Sequence, residues 1–415
     1  MNPNDNGGAR ILARVDHLAT LSESASGVTR RYLTQEHRAA NRAVARWMDE
    51  AGMTVSIDAM GNIVGCYEGL SPGQGSVVIG SHLDSVPNGG RFDGVLGVVT
   101  AIECVDRLYR SGIRLNCPVE IVGFGDEEGS RFPSSFLGSR GFTGDVDPGL
   151  LDLRDGDGIS LAEAMENFGL DPARDSVAKG HSKDMRCYLE LHIEQGPVLE
   201  DNNLPVGVVS AINGQTRAKI TLAGISGHAG TVPMENRHDA LAGAAQAILA
   251  IEEICTGLSD KEVVGTVGKI ETVPGASNVI AGNCSLTLDL RAPDDDDRRN
   301  ALREIQDRLM YLSLERGLQA TFSIIDDRAA VRCSPHLTNL ISSAAETLDI
   351  RPLLLGSGAG HYAMVMASVT EVGMIFVRCR GGISHNPEEF VTLEDIDAGL
   401  RLLHSTMLLI NKEIP

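Results

Sequence analysis

The stretch Val77-Val78-Ile79-Gly80-Ser81-His82-Leu83-Asp84-Ser85 decides the fold, because an apolar run typical of a buried strand ends in an imidazole and a carboxylate. A second apolar run, 119–124, is followed directly by Asp126-Glu127-Glu128-Gly129. Between them, Gly90-Arg91-Phe92-Asp93-Gly94 precedes a helical pattern. Strands that alternate with helices predict an α/β domain, whose strand ends gather polar side chains at one edge of the sheet. We therefore expect these residues to cluster, as in metal-dependent hydrolases.

Composition and charge narrow the class of protein. The chain has 415 residues, 42% of them hydrophobic, enough for two or three domains. No apolar run reaches the roughly 20 residues that cross a bilayer, so no membrane partner is expected. A formal net charge of −20 repels phosphate backbones and makes nucleic acid an unfavourable partner. The polar N-terminus and eight cysteines without paired spacing predict a cytoplasmic protein with reduced thiols, so any metal should have nitrogen and oxygen ligands.

A change of pattern at residue 214 predicts an inserted domain. From 214 to 327 the chain reads strand, helix, strand, strand, helix, strand, which is the β-α-β-β-α-β order of a ferredoxin-like sandwich. The main domain would then be discontinuous, comprising residues 1–213 and 328–415. The helix predicted over 236–254 is small and apolar on nearly every side. Such a helix needs a second cover, so we expect a homodimer through the insertion, with a plain core helix as the alternative.

Two further histidines complete a candidate set of metal ligands. His192 ends the strand-like run 188–193, and His385 lies in a glycine-rich loop after the last predicted strand. With His82, Asp93 and Glu128, they provide three imidazoles and two carboxylates. This mixture suits two divalent ions of borderline hardness, with one carboxylate shared. Zinc is the first choice, although manganese, cobalt and nickel accept the same ligands. Any one of these residues taken alone could equally be an ordinary polar loop residue.

Together, the motifs resemble the hydantoinase/carbamoylase family. The matching segments, in chain order, are 80–94, 127–132, 191–197, 227–234 and 382–387. The family comprises N-carbamoyl-L-amino-acid hydrolases, β-ureidopropionases and allantoate amidohydrolases, within the aminoacylase-type dinuclear metallohydrolases. The resemblance implies a metal-dependent, exopeptidase-like α/β catalytic domain whose insertion serves as a lid and dimerisation domain.

The resemblance also implies an activity. We expect an amidohydrolase that cleaves a linear carbamoyl or ureido C–N bond of a small carboxylate, first of all an N-carbamoyl-L-amino acid to the L-amino acid, ammonia and carbon dioxide. Three alternatives stay open: an allantoate, ureidoglycolate or β-ureidopropionate amidohydrolase; an aminoacylase or dipeptidase-type metallopeptidase; and a non-catalytic dimeric binding protein.

Each site residue receives a role from the resemblance. His82 and His192 would bind one ion, Glu128 and His385 the other, and Asp93 would bridge the pair. Glu127 would be the general base, and Asp84 would orient His82 by accepting its second N–H. His228 would stabilise the oxyanion from the partner subunit. Contacts with the substrate would come from Gln195, Gln215, Asn278, Arg291 and Gly360.

One residue departs from the family's pattern. The family commonly has Asp after the histidine of the stretch Gly358-Ala359-Gly360-His361, whereas this chain has Tyr362. The expected ligand set is unaffected. The departure leaves open which group hydrogen-bonds to His361 and what shape the substrate pocket has.

Overall fold

The computed structural model describes residues 6–71, 73–147, 149–172, 180 and 184–413. The chain forms two compact units: the first contains Met1–Ser210, Cys333–Leu355 and His361–Pro415, and the second contains Ala211–Arg332 and Gly356–Gly360. All eight cysteines are free thiols. The predicted α/β class is confirmed.

The strands are β1 (Thr54–Ile57), β2 (Ile63–Tyr67), β3 (Ser76–His82), β4 (Val119–Phe124), β5 (Met185–Ile193), β6 (Val206–Ile212), β7 (Gly214–Ala223), β8 (Gly227–His228), β9 (Val264–Thr266), β10 (Ile270–Val273), β11 (Val279–Ile280), β12 (Asn283–Ala292), β13 (Gln319–Arg328), β14 (Val331–Arg332), β15 (Leu354–Ser357) and β16 (Val372–Val377). The α-helices among the described residues are α1 (Gly7–Ala19), α2 (Gln35–Glu50), α3 (Val95–Arg110), α4 (Leu137–Thr143), α5 (Leu161–Phe168), α6 (Val198–Asp201), α7 (Ala240–Gly257), α8 (Asp295–Arg316), α9 (Pro335–Glu346), α10 (Ala363–Met366) and α11 (Leu393–Lys412).

A mixed sheet organises the first unit, with strand order β1-β2-β4-β3-β5-β16-β6. The four central strands β4, β3, β5 and β16 run parallel, and β2 and β6 flank them antiparallel. Strands β3, β4 and β16 are buried along their whole length, which explains their continuous apolar runs. The chain turns from β3 to β4 on one side, whereas β5 lies on the other side of β3. Open α/β sheets bind ligands at such a reversal, beyond the carboxyl ends of the strands.

Helices α1, α2, α3, α9 and α11 share one continuous hydrophobic core with this sheet. Helix α3 lies very close to β5 because residue 97 is glycine. A Cβ atom at Gly97 would stand 2.1 Å from the carbonyl oxygen of Leu191. The start of α3, and with it the preceding Asp93, is therefore held against the end of β5.

The second unit has an antiparallel sheet in the order β10-β12-β7-β13, and β9 also pairs with β12. Counted along the chain, with β9 and β10 as one element, this is the strand order of a ferredoxin-like sandwich. Even-numbered side chains of β7 and β12 form a core with α7 and α8. The odd-numbered side chains lie on the opposite face of the sheet, because successive residues of a strand alternate.

Two elements of the second unit differ from the prediction. The single strand expected over 263–272 is split into β9 and β10, whose pairings with β12 are one residue out of register with each other. The helix expected from residue 236 begins at Ala240, because the Asp239 side chain accepts hydrogen bonds from the backbone N–H groups of Leu241 and Ala242.

Among the described residues, a single helix, α7, is long and apolar enough to cross a membrane by length and composition alone. It carries Glu252 and Glu253, and its small side chains, such as Ala244 and Ala247, are buried in the unit's own core. A buried stripe of this kind is typical of the core helix of a globular domain. Leu249, which is 63% exposed, lies outside that stripe.

Candidate metal centre

Six of the predicted side chains converge beyond the carboxyl ends of the parallel strands. Their imidazole and carboxylate atoms form three groups in which all atoms lie within 4.8 Å of one another: His82, Asp93 and His192; His82, Glu127 and Glu128; Asp93, Glu128 and His385. Strand β3 supplies the first histidine and β5 the second, while the loops after β4 and β16 supply the glutamates and the third histidine. The convergence follows from the parallel strand order.

The pair His82 and His192 has the chemistry of a cation site. The Nδ1 atom of His82 lies 3.0 Å from the Asp84 backbone oxygen, and that of His192 lies 3.0 Å from the Ile193 backbone oxygen. In a neutral ring, an Nδ1 that donates carries the only proton, so the Nε2 atom presents a lone pair. The two Nε2 atoms face each other at 3.3 Å and lie 3.8 and 3.3 Å from Oδ1 of Asp93. Converging lone pairs repel one another unless a cation lies among them, so this donor set fits a divalent ion.

The electrostatics of the two rings also indicate a demand for positive charge. Burial lowers the pKa of His192 to about 4, which keeps that ring neutral. Burial also opposes protonation of His82, but the negative charges of Asp93, Asp84 and Glu128 outweigh it and raise the pKa of His82 above its ordinary value. The carboxylates therefore attract a proton where a metal ion would otherwise supply the charge.

Asp93 lies between this pair and a second group of donors. Its Oδ2 atom is 3.2 Å from Nε2 of His385, which in turn lies 3.7 Å from Oε1 of Glu128. Although burial opposes it, the hydrogen bond from His385 and the neighbouring imidazoles hold the pKa of Asp93 well below its usual range. Burial and the charge of Asp93 raise the pKa of Glu128 to about 7, and Oε1 of Glu128 is buried with no hydrogen-bond partner among the described residues. These groups fit a second cation, with Asp93 between the two.

Asp84 plays a different part from the one expected. Its carboxylate is 3.9 Å from Nδ1 of His82, whereas its backbone oxygen is in hydrogen-bonding distance of that nitrogen. The carboxylate oxygens instead accept hydrogen bonds from the backbone N–H groups of Glu127, at 3.1 Å, and Glu128, at 3.2 Å. The backbone oxygen of Asp84, rather than its carboxylate, is thus placed to accept the second N–H of His82. The carboxylate fixes the loop that carries both glutamates.

Glu127 is surrounded by acidic groups. Burial raises the pKa of Glu127 well above its ordinary value, and the charges of Glu128 and Asp84 raise it further. Perturbed pKa values of this kind are typical of groups that transfer protons at functional sites. It is therefore suited to proton transfer.

Glu389 was missed by the sequence analysis. This buried residue accepts hydrogen bonds from the backbone N–H groups of Phe92, at 2.7 Å, and Asp93, at 3.1 Å, and from the hydroxyl of Ser384, at 3.1 Å. It thus holds the backbone of the central carboxylate to the loop that carries His385. The adjacent glutamates 388 and 389, close after His385, are the signal in the sequence that could have revealed it.

Gln195, expected to contact substrate, is directed at the same carboxylate. Its Nε2 atom donates to Asp93 Oδ1 at 3.2 Å and to Ser384 Oγ at 3.2 Å. Its Oε1 atom is buried with no hydrogen-bond partner among the described residues. The amide thus supports Asp93 with its nitrogen, and its oxygen is available to a donor.

Tyr362, the departure from the family's pattern, is fully buried behind the centre. Its hydroxyl donates to the Gly125 carbonyl at 2.9 Å, and its ring centroid lies 4.4 Å from that of Phe124 and 5.7 Å from that of Phe136. The preceding residue, His361, packs its ring edge-on against His192, with the centroids 4.6 Å apart. Tyr362 therefore braces the segment that leads from β4 to the glutamates.

The remaining expected site residues belong to the second unit. His228 lies on β8 next to β11, and its Nδ1 accepts the backbone N–H of Gly230 at 3.0 Å, which leaves a proton on Nε2 of the neutral ring. The Asn278 carbonyl accepts the N–H of Ala229 at 3.0 Å, so Asn278 adjoins that turn.

Arg291 and Gln215 meet at the carboxylate of Asp289. Arg291 also donates to the carbonyl of Gly358, which belongs to the same five-residue segment as Gly360. Gln215 and Arg291 are therefore neighbours within the second unit, and Arg291 also contacts the segment that contains Gly360.

Comparisons with known proteins agree with this chemistry. Residues 78–409 match the model of peptidase family M20/M25/M40. The chain is 41% identical to an N-carbamoyl-L-amino-acid amidohydrolase of a Pseudomonas species, over 96% of this chain and 97% of the relative. It is 39% identical to an allantoate deiminase of Arabidopsis thaliana, over 94% of this chain and 80% of the relative. The crystal structure of a hydantoinase/carbamoylase family amidase from Burkholderia multivorans superposes with a TM-score of 0.91 at 34% identity, covering 97% of both chains.

Proposed function

The chain belongs to the hydantoinase/carbamoylase family, within peptidase family M20/M25/M40, and we propose that it hydrolyses N-carbamoyl-L-amino acids to the L-amino acid, ammonia and carbon dioxide. The observation that carries the proposal is the convergence of His82, His192 and His385 on the two oxygens of Asp93. Relatives named for this reaction support the choice of substrate.

The ligand residues and the proton carrier have separate tasks. His82 and His192 would hold one divalent ion, Glu128 and His385 a second, and Asp93 both. When bound, such ions supply Lewis acidity, which acidifies water and polarises a carbonyl group. Glu127 takes the proton that water loses as it attacks the carbamoyl carbon. Glu127 then gives that proton to the amino-acid nitrogen as the C–N bond breaks, and the released carbamic acid decomposes to ammonia and carbon dioxide.

The variant Glu127→Gln tests whether Glu127 transfers the proton without binding the metal ions. Loss of a general base typically lowers turnover by about 100- to 10,000-fold, and metal content should stay at the wild-type level because the proposed ligands are intact. Glu166→Gln, an exposed glutamate on α5, is the matched control and should retain wild-type turnover. Turnover of Glu127→Gln above a tenth of the wild-type rate would remove Glu127 from this role.

Zinc is our first candidate for the metal, because imidazole and carboxylate ligands suit it well. Manganese, cobalt and nickel accept the same donors. Protein stripped with a chelator and reloaded with each ion in turn should identify the metal by its restored turnover. We also propose a cytoplasmic location, which the eight free thiols favour.

Allantoate is the second candidate substrate, favoured by the 39% identity to the Arabidopsis allantoate deiminase. A comparison of kcat/KM on N-carbamoyl-L-amino acids, allantoate, ureidoglycolate, β-ureidopropionate and simple dipeptides would rank the substrates. Preference for dipeptides would indicate an aminoacylase or dipeptidase. Metal-loaded protein without activity on any of them would indicate a binding protein.

We further propose that the second unit binds substrate and forms a homodimer. Gln215, Asn278, Arg291 and Gly360 would hold the substrate, with the planar fork of Arg291 on its carboxylate. The outward Nε2–H of His228 would donate to the oxyanion formed in the partner's site.

Subunit exchange tests the shared site. Mixing inactive Glu127→Gln with inactive His228→Ala protein should restore activity, because one site of each hybrid dimer then has both wild-type residues. Demonstrated exchange without any recovery of activity would contradict the shared site.

A further inference from the structure

Asp289 stands at the centre of the proposed carboxylate-binding residues of the second unit. It lies two residues before Arg291 on β12, so the two side chains share a face of the strand. In the pairing of β12 with β7, Asp289 is opposite Arg217 and Arg291 is opposite Gln215. Directly opposite residues of an antiparallel pair have neighbouring side chains on the same face. The sheet thus places one acid among two guanidinium groups and an amide.

All three neighbours donate to this one carboxylate. Arg291 donates from Nε to Oδ1 at 2.7 Å and from Nη2 to Oδ2 at 3.0 Å, a two-point contact. Oδ2 also accepts from Gln215 Nε2 at 2.8 Å and from Arg217 Nε at 3.2 Å. Although burial opposes it, these donors, with Arg291 foremost, hold the pKa of Asp289 below its ordinary value. Asp289 is therefore an ionised hub that fixes two of the residues assigned to the substrate.

The contact decides which edge of Arg291 faces outward. A guanidinium group has five N–H donors in a rigid plane. Asp289 takes the Nε proton and one Nη2 proton, and the Gly358 carbonyl takes one Nη1 proton at 2.7 Å. The remaining two protons are on the terminal nitrogens Nη1 and Nη2, one on each. This is the number required to grip a carboxylate at two points.

We propose that Asp289 is a positioning residue for substrate recognition: it orients Arg291 and Gln215 so that the terminal edge of the guanidinium meets the substrate carboxylate. The inference rests on the proposed function, because it assumes a substrate with a carboxylate. It assigns a specificity role to a residue that is not itself expected to touch the substrate.

The kinetic test compares an N-carbamoyl-L-amino acid with its amide, which lacks the negative charge. Asp289→Asn is nearly isosteric and should lower the preference for the acid, as a ratio of kcat/KM values, by about tenfold, mainly through KM. Arg291→Ala should lower the same ratio, and the double variant should lower it no further than Arg291→Ala alone, because Asp289 acts through Arg291. Glu271→Gln is the matched control: it removes a charge paired with Lys269 on the same sheet and should leave the ratio unchanged.

Two kinetic outcomes would overturn the inference. A ratio unchanged within about twofold in Asp289→Asn would show that orientation does not depend on Asp289. A higher ratio would show that Asp289 competes with the substrate for Arg291. Asp289→Glu, which keeps the charge but moves it by one methylene group, should give an intermediate ratio and provides a second variant if Asp289→Asn does not fold.

A second measurement separates this inference from the proposed function. The Nε–H signal of Arg291 in a nitrogen-15 spectrum of ligand-free protein should shift in Asp289→Asn and stay unchanged in Glu271→Gln. An unmoved signal in Asp289→Asn would refute the contact. If wild-type protein hydrolyses none of the ureido substrates, the proposed function fails, and the spectrum still decides whether Asp289 orients Arg291.

Discussion

Tyr362 offers a quantitative test of how the fold supports the metal centre. Its hydroxyl donates to the Gly125 carbonyl, which also accepts the backbone N–H of Gly138 at 3.1 Å. Tyr362→Phe therefore removes one of the two hydrogen bonds to that carbonyl, which keeps the bond from Gly138. Loss of a neutral hydrogen bond in this situation costs about 1 kcal/mol of the free energy of unfolding, rather than the 2 to 3 kcal/mol of an orphaned buried group.

The residue that the family commonly has at this position should be far more damaging. Tyr362→Asp removes a ring packed against Phe124 and Phe136, and loss of a buried aromatic ring costs about 3 to 5 kcal/mol. It also places a carboxyl group in a buried position where burial, and then the charges of Asp84 and Glu127, already raise the pKa of the tyrosine. We expect Tyr362→Asp to lose more than about 4 kcal/mol relative to wild type.

Urea denaturation followed by fluorescence measures both variants. The chain has a single tryptophan, Trp47, which lies on α2 in the first unit and so reports on the unit that contains Tyr362. Metal content measured in parallel shows whether the centre survives. If the unfolding free energy of Tyr362→Asp lay within about 1 kcal/mol of that of Tyr362→Phe, the packing and charge argument would be refuted.

Three shorter predictions test other contacts. Gly97→Ala should lower the free energy of unfolding in urea by about 1 to 3 kcal/mol, because the added Cβ would meet the Leu191 carbonyl. Gly257→Ala is the control and should leave it unchanged, because nothing lies within 4 Å of the added atom. Equal losses in the two variants would contradict the steric reason. Burial lowers the pKa of His37 from 6.5 to about 3, so between these pH values the unfolded state binds more protons than the folded state. As pH falls from 6.5 towards 3, the wild type should therefore lose about 1.4 kcal/mol of unfolding free energy per pH unit relative to His37→Gln. A constant difference between the two proteins would contradict this. Glu389→Ala should weaken metal affinity by about 10- to 100-fold in competition with a chelator, and Glu389→Gln, which keeps an acceptor oxygen, by much less; equal affinities would remove Glu389 from the support of Asp93.

The clustering of the candidate ligands could be predicted from the sequence because it depends on where strands end along the chain. His82 and His192 end or nearly end strands that are apolar along most of their length, and in parallel strands the carboxyl ends meet at one edge of the sheet. The positions of these two histidines at the ends of their strands therefore indicated that they would be neighbours in space. The same reasoning applies to the strand order of the second unit, which follows from the alternation of strands and helices.

The sequence did not reveal features that depend on a few local torsion angles or on a residue distant along the chain. Whether His82 meets the side chain or the backbone oxygen of Asp84 depends on a few torsion angles that residue spacing does not encode. The split between β9 and β10 depends on a one-residue change of register against β12. Glu389 is tied to the backbone of Asp93 from almost 300 positions away, so only the tertiary fold reveals it.

Acidic residues are so numerous in this chain, with 56 Asp and Glu, that their presence in a motif does not distinguish a ligand from a support. The partners of each carboxylate distinguish a ligand from a support. Both carboxylate oxygens of Asp84, Glu389 and Asp289 accept N–H or O–H groups of the protein. In contrast, a buried oxygen of Glu128 has no such partner among the described residues. The oxygens of Asp93 accept from Gln195, but each also faces an imidazole nitrogen that can bind a metal ion.

A carboxylate whose oxygens accept only N–H or O–H groups of the protein, with no imidazole facing it, has fewer lone pairs left for a cation and no second ligand beside it to share one. Asp84 and Glu389 are therefore expected to act on the metal centre only through the backbone that they hold, and Asp289 on the substrate only through Arg291. It follows that replacing a supporting carboxylate by its amide should change geometry and affinity by degrees. Replacing Asp93 or Glu128 in the same way should abolish binding of an ion, because a ligand charge is lost along with the oxygen.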